Sequence, residues 1–150
     1  MPFRSKSSLL SIPPGYHLDA DNLPTPRALN RLLWRCREET YSSKMLSLAM
    51  ERSVYHLCIY AESTGTLVGF VRATTDYGLN ANLWNLVAMP GENQEIFIAV
   101  LVDRTLRVLR RDIPGCSISI AASQSSLKAL QDHGFLIDPG GIRAMGLRLV

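Results

Sequence analysis

Apolar residues recur at two different spacings along this chain, and segments of one kind alternate with segments of the other. A helical spacing follows the Thr25-Pro26 pair, with an apolar stripe formed by Leu29, Leu32, Leu33 and Cys36. Threonine followed by proline favours a helix start, because threonine can cap the first turn and proline is tolerated at the first helical position. A second helix is predicted behind Ser43, with apolar positions at Met45, Leu46, Leu48, Ala49 and Met50.

The middle of the chain is rich in β-forming residues. The segments VYHLCIYA (54–61) and LVGFVRATTD (67–76) flank the turn-forming residues ESTGT, which predicts a hairpin. LNANLWNLVAM (79–89) adds a third strand, so we expect a three-stranded antiparallel meander. A shorter strand, GYHLD (15–19), is predicted before the two helices.

The remainder of the chain returns to mixed elements. We predict a long helix over 94–111, a buried strand over 116–121, and a short helix that ends at Gly134 in the C-cap position. The last segment, 135–150, is expected to form a hairpin around Asp138–Gly141. The resulting order β-α-α-β-β-β-α-β-α-β-β predicts an α+β fold with a mixed sheet covered by helices.

Composition supports one folded domain. The chain has 150 residues, 47% hydrophobic and 19% charged, and its net charge of +3 permits an anionic ligand without indicating nucleic acid. We expect a domain over 15–150 behind a tail over 1–14, which is either flexible or the remnant of a targeting sequence. Three widely spaced cysteines indicate a reducing compartment, taken as the cytoplasm. No apolar run is long enough to span a membrane, so contact with a membrane is not predicted.

Candidate chemistry is sparse. The sequence contains no nucleophilic triad motif, no phosphate-loop lysine, no GxGxxG and no cluster with metal-ligand spacing. The one site-like feature is the strand, loop and helix start around MPGENQEIFI (89–98), since a helix N-terminus suits an anion. Glu92 and Glu95 would neutralise that helix end themselves. The residues leave two interpretations open: a structural helix, or residual and altered anion binding.

Three sequence stretches resemble the GCN5-related N-acetyltransferase (GNAT) superfamily. They are GFVRATTDYGLNANLWNLVAMP (69–90), LRRDIPGCSISIAAS (109–123) and HGFLIDPGGIRAMGL (133–147). The closest resemblance is to the plastid-type branch that includes serotonin and arylalkylamine N-acetyltransferases, and it covers about 15–149. It implies a mixed, mostly antiparallel sheet of six or seven strands with about four helices. It also implies that acetyl-CoA lies between the fourth and fifth strands.

The resemblance assigns residues to the acetyl-CoA site. Backbone groups of Leu86, Val87 and Ala88 would pair with the pantetheine arm. The family's pyrophosphate motif, Q/R-x-x-G-x-G/A, falls on Asn93, Gln94, Glu95, Ile96, Phe97 and Ile98. Because isoleucines replace both glycines, the backbone cannot approach a pyrophosphate as closely, and weak acetyl-CoA binding is expected.

The chemical positions also depart from the family pattern. Leu130 occupies the position of the usual general-acid tyrosine, Ser123 that of an asparagine or aspartate, and Asn85 that of an acidic residue. One hypothesis is an N-acyltransferase that works by proximity on a small amine or a protein amine, with Asn85 and Ser123 orienting the substrate. The alternative is an inactive GNAT-fold module that binds or regulates a protein partner. Exposed edge strands in this fold commonly pair, so a homodimer is a further expectation.

Overall fold

Residues 9–150 are described by a computed structural model, and they form a five-stranded sheet with helices on both faces. The strands are β1 (Tyr16–Asp19), β2 (Tyr55–Ala61), β3 (Leu67–Thr75), β4 (Asn80–Ala88) and β5 (Ser117–Ile120). The helices are α1 (Pro26–Arg35), α2 (Ser43–Glu51), α3 (Gln94–Asp112) and α4 (Leu127–Asp132). Short 3-10 turns occur at Gln124–Ser126 and Pro139–Gly141.

Side-chain caps begin the first two helices. The Thr25 hydroxyl accepts a hydrogen bond from the Ala28 N–H at 3.1 Å, as predicted. The cap of α2 is Ser42, one residue before the predicted Ser43, and its hydroxyl accepts from the Met45 N–H at 3.2 Å.

The sheet has the strand order β1-β2-β3-β4-β5. The first four strands are antiparallel neighbours, which confirms the predicted meander, and β5 runs parallel to β4. One core lies between the sheet and α3, and a second lies between the opposite face and α1 with α2. The α+β class with about four helices is confirmed.

The strand count is lower than predicted, because the described residues after Phe135 contain no strand. A positive φ at Asp138 and at Gly140 turns the chain into a 3-10 turn where a hairpin was expected. Met145, Leu147 and Leu149 remain 88–95% exposed, because alternating apolar residues form a strand only where another strand supplies backbone partners. β5 is therefore a half-exposed strand at the edge of the sheet, and the prediction of a buried strand over 116–121 was wrong.

The segment before β1 contacts α3. The Arg104 guanidinium donates to the Leu10 carbonyl at 2.7 Å, and Ile12 packs against the α3 side of the core. The first eight residues of the predicted tail lie outside the described residues. Within residues 9–150, no helix combines the length and the apolar character needed to cross a bilayer.

Candidate functional site

A bulge in β4 reverses which side chains face which core. Phe70 pairs with Val87 and Arg72 pairs with Trp84, so two steps along β3 correspond to three along β4. Asn85 lies in this interval with a φ of 52°, a conformation that asparagine tolerates better than most residues. Beyond the bulge, Leu86 faces the α3 core and Val87 faces the α1 core.

β4 and β5 form a fork. They pair only from Asn80 to Leu83, opposite Ser117 to Ile120. The Asn80 side-chain amide holds the closed end by donating to the Ser117 carbonyl and the Ser119 hydroxyl, both at 3.2 Å. Residues 84–88 of β4 have no strand on that side, so the structure contains the predicted opening between the fourth and fifth strands.

Two cavities follow the open side of the fork, with volumes of about 100 Å³ and 310 Å³. Glu38, Val87 and Ser123 line both of them. The smaller cavity extends toward Trp84 and Asn85, and the larger one extends toward Pro90 and the start of α3. The two cavities therefore adjoin each other along the fork, and together they are called the cleft below.

The Ala88 carbonyl is already satisfied within the protein. It accepts from the Cys36 thiol at 3.2 Å and from the Gln94 side-chain amide at 3.1 Å. Two of the predicted ligand-binding residues, Ala88 and Gln94, thus bind each other. Burial, followed by the charge of Glu38, raises the pKa of Cys36 to about 11, so its thiol is protonated at neutral pH and is a poor nucleophile.

Side chains at the start of α3 contact other parts of the protein. Asn93 makes no side-chain capping bond, and its amide lies 3.4 Å from the Tyr16 hydroxyl. The Glu95 carboxylate accepts from Lys128 of α4 at 2.8 Å, and this contact raises the pKa of Lys128. Glu95 therefore forms an ion pair with α4, in addition to complementing the helix dipole.

The predicted cofactor residues at the start of α3 contribute mainly to the core. Phe97 and Ile98 are 3% and 0% exposed, and Ile96 packs partly buried on the same core. The helical period turns the side chains of 97 and 98 inward, so only backbone groups of these two residues could face a pyrophosphate, and their assignment to the cofactor site stays a prediction. Phe97 instead meets the Tyr16 ring edge-on at 4.8 Å.

The three candidate catalytic residues, Leu130, Asn85 and Ser123, lie in three different environments. Leu130 is 2% exposed in the α3 core and lines neither cavity, and its correspondence to the family's general-acid tyrosine stays a prediction. Asn85 borders the smaller cavity, and its side-chain oxygen accepts from the Arg72 guanidinium at 2.8 Å. Ser123 borders both cavities, with its hydroxyl 3.2 Å from that of Ser125.

Sequence reasoning missed Arg72 and Cys36. Arg72 also donates to the Ser53 hydroxyl at 3.3 Å and lies over the Trp84 ring at 5.7 Å. An arginine within the apolar run LVGFVRATT was the available signal, since a charge in such a strand needs partners. No sequence signal placed Cys36 against β4, because that contact joins residues 52 positions apart.

Comparison with known proteins identifies the fold and the relatives. No family model matches the chain. It is 35% identical over 80 residues to "GCN5-related N-acetyltransferase 2, chloroplastic" of Arabidopsis thaliana, covering 53% of this chain and 30% of that protein. It is 30% identical over 104 residues to "Uncharacterized N-acetyltransferase ycf52" of Porphyra purpurea, covering 68% and 59%. The chain thus spans less than two thirds of the length of these relatives.

A solved structure with a similar fold is also described as an acetyltransferase, as are the relatives found by sequence. The probable acetyltransferase SA2161 of Staphylococcus aureus superposes with a TM-score of 0.80 at 12% identity, covering 89% of this chain and 99% of that one. At that identity the likeness concerns the fold alone. The chain is therefore homologous to the GCN5-related N-acetyltransferases and has the GNAT fold.

Proposed function

We propose that the chain is an N-acyltransferase that moves an acetyl group from acetyl-CoA to an amine. The observation that carries this proposal is the fork, where residues 84–88 of β4 lack a neighbouring strand beside the two cavities. A pantetheine arm is extended and carries amides, so it can pair with a free strand edge as an added strand would. Leu86 and Val87 supply that edge, whereas the Ala88 carbonyl already has two donors.

The fit to acetyl-CoA is uneven along the cleft. The fork suits the acyl-bearing arm. The start of α3 lacks the glycines and the basic residue of the family motif, and it carries Glu92 and Glu95 instead. The described residues therefore support acetyl-CoA as the donor, bound more weakly than in relatives that retain the motif.

Proximity is the main source of catalysis in this proposal. The amine nitrogen attacks the thioester carbonyl carbon, and the carbon–sulfur bond breaks so that coenzyme A leaves as its thiolate with the electron pair of that bond. The proton lost by the amine passes to water, and the thiolate can take up a proton from water. Holding both reactants in the cleft supplies much of the barrier reduction, since a thioester is already reactive. Ser123 is the hydroxyl placed to orient the reactants, and Asn85 is a positioning residue that holds the β4 bulge through Arg72.

The cleft is compatible with an amine acceptor. Glu38 contributes a carboxylate to the walls of both cavities, which favours a cationic substrate. A small amine and a protein amine both meet this requirement. We place the reaction in the cytoplasm, because the free thiols of Cys36, Cys58 and Cys116 suit a reducing compartment.

A paired experiment tests the proposal. Acetyl-CoA is titrated calorimetrically into the protein, and thiol release is then followed with a panel of small amines and lysine peptides. Binding together with amine-dependent thiol release is expected. Binding without turnover on any amine would favour the inactive regulatory module, and no binding at millimolar acetyl-CoA would overturn the proposed donor.

A further inference from the structure

The end of α1 holds an arginine in a backbone conformation that arginine disfavours. Arg37 has a φ of 58°, its N–H donates to the Trp34 carbonyl at 3.0 Å, and the Glu38 N–H donates to the Leu33 carbonyl at 2.9 Å. These two bonds define the helix ending in which glycine is the usual residue at the left-handed position. Glycine at position 37 would adopt this conformation without steric cost.

The same arginine lines the larger cavity. Arg35 and Arg37 form part of its wall, together with the polar side chains of Ser123, Gln124 and Ser125. Among residues 9–150, neither guanidinium has a hydrogen bond or a carboxylate partner. Glu38 is the one carboxylate among the residues that line this cavity. Two free cations and several hydroxyl and amide groups therefore border one cavity of about 310 Å³.

These arginines lie near the loop before α3, which lacks the glycines and the basic residue of the family's pyrophosphate motif. The larger cavity also reaches Pro90 and Gln94 at the start of α3, where an anion-binding loop would be expected. Guanidinium groups bind phosphate oxygens with paired N–H donors, and this binding does not depend on glycines in the loop before α3. Backbone strain concentrates at functional sites, which fits an arginine at a position where glycine is favoured.

We propose that Arg35 and Arg37 form a binding site for the diphosphate group of a nucleotide-bearing ligand. The identification of that ligand as a coenzyme A ester rests on the proposed function. In this site the anion is held by side chains at the end of α1 instead of by backbone groups at the start of α3. The hydroxyl groups at 123 and 125 complete the set of donors.

Binding measurements on matched variants test this site. The protein is titrated calorimetrically with coenzyme A, and separately with inorganic pyrophosphate, in low and high salt. Arg35→Gln/Arg37→Gln should weaken coenzyme A binding by about tenfold or more, as expected for lost charge-assisted hydrogen bonds. The control Arg27→Gln/Arg31→Gln removes two exposed charges from the same helix outside the cavity wall, and its effect should stay within about twofold.

A single substitution separates ligand binding from folding. Arg37→Gly relieves the left-handed backbone, so its melting temperature should equal or exceed that of the native protein. Its affinity for coenzyme A and for pyrophosphate should nevertheless fall. If Arg37 does not bind the ligand, Arg37→Gly should keep the higher stability and show unchanged affinity, and that result would overturn the site.

The remaining outcomes distinguish this site from the proposed function. Coenzyme A binding that is equally tight in Arg35→Gln/Arg37→Gln would overturn the site and leave the acyltransferase proposal standing. Pyrophosphate binding that requires the two arginines, without coenzyme A binding, would support the site and overturn the proposed function. Equal weakening by both double variants would also overturn the site, because a general charge effect would explain it.

Discussion

The bulge at Asn85 makes a quantitative prediction about stability. Asn85→Ala removes the acceptor of the 2.8 Å bond from Arg72 and places alanine at a φ of 52°. A hydrogen bond to a charged group contributes about 1.5–3 kcal/mol, and the left-handed conformation costs alanine about 1–2 kcal/mol. Arg72 keeps its bond to Ser53, so we take the low end, about 2.5–3 kcal/mol in total.

A glycine variant separates the two contributions. Asn85→Gly loses the same hydrogen bond but adopts a positive φ without strain, so its expected cost is about 1.5 kcal/mol. In a protein of this size, Asn85→Ala should lower the melting temperature by about 5–12 °C and Asn85→Gly by about 3–6 °C. Thermal and urea denaturation measure both. Equal losses in the two variants, or a smaller loss for alanine, would refute the left-handed bulge.

Three further predictions concern the rest of the cleft. Leu130→Tyr should lower the free energy of unfolding by about 1–3 kcal/mol, because the larger ring overpacks the α3 core, and it should not raise turnover. Urea denaturation and thiol-release kinetics measure the two effects. Higher turnover would show that residue 130 reaches the cleft. Lys128→Met breaks the exposed pair with Glu95 and should leave the melting temperature unchanged, and a large drop would contradict that assignment. Because burial raises the pKa of Cys36 to about 11, iodoacetamide should modify it slowly at pH 8 and faster as pH approaches 11, as mass spectrometry of its peptide would show. Rapid modification at pH 8 would contradict its burial against β4.

The central strands and the long helix were predictable because their signals are local. Residues 54–61 and 67–76 combine β-forming side chains with a turn between them, and both form paired strands. The apolar positions of 94–111 extend over five turns, enough to specify a helix without knowledge of its partners. The opening between β4 and β5 was predicted from the family resemblance.

The features that sequence reasoning missed depend on single residues or distant contacts. One extra residue at Asn85 exchanges the two sheet faces on which the following side chains of β4 lie, and no periodic pattern in the sequence predicts this bulge. α4 is only six residues long, so its apolar positions did not show that Leu130 faces the core. The apolar alternation of 142–150 resembles a strand, but no backbone partner is present for it in the described part of the chain.

The fork between β4 and β5 also affects how the amides of the sheet exchange with solvent. Amides at the closed end belong to a strand paired on both sides, whereas 87 and 88 are paired to β3 alone and 86 lies in the bulge. A bound arm that completes the missing ladder would slow deuterium uptake at 86–88 and leave the amides of 81–83 nearly unchanged. The exchange pattern of this one strand can therefore report occupancy of the cleft without any catalytic turnover.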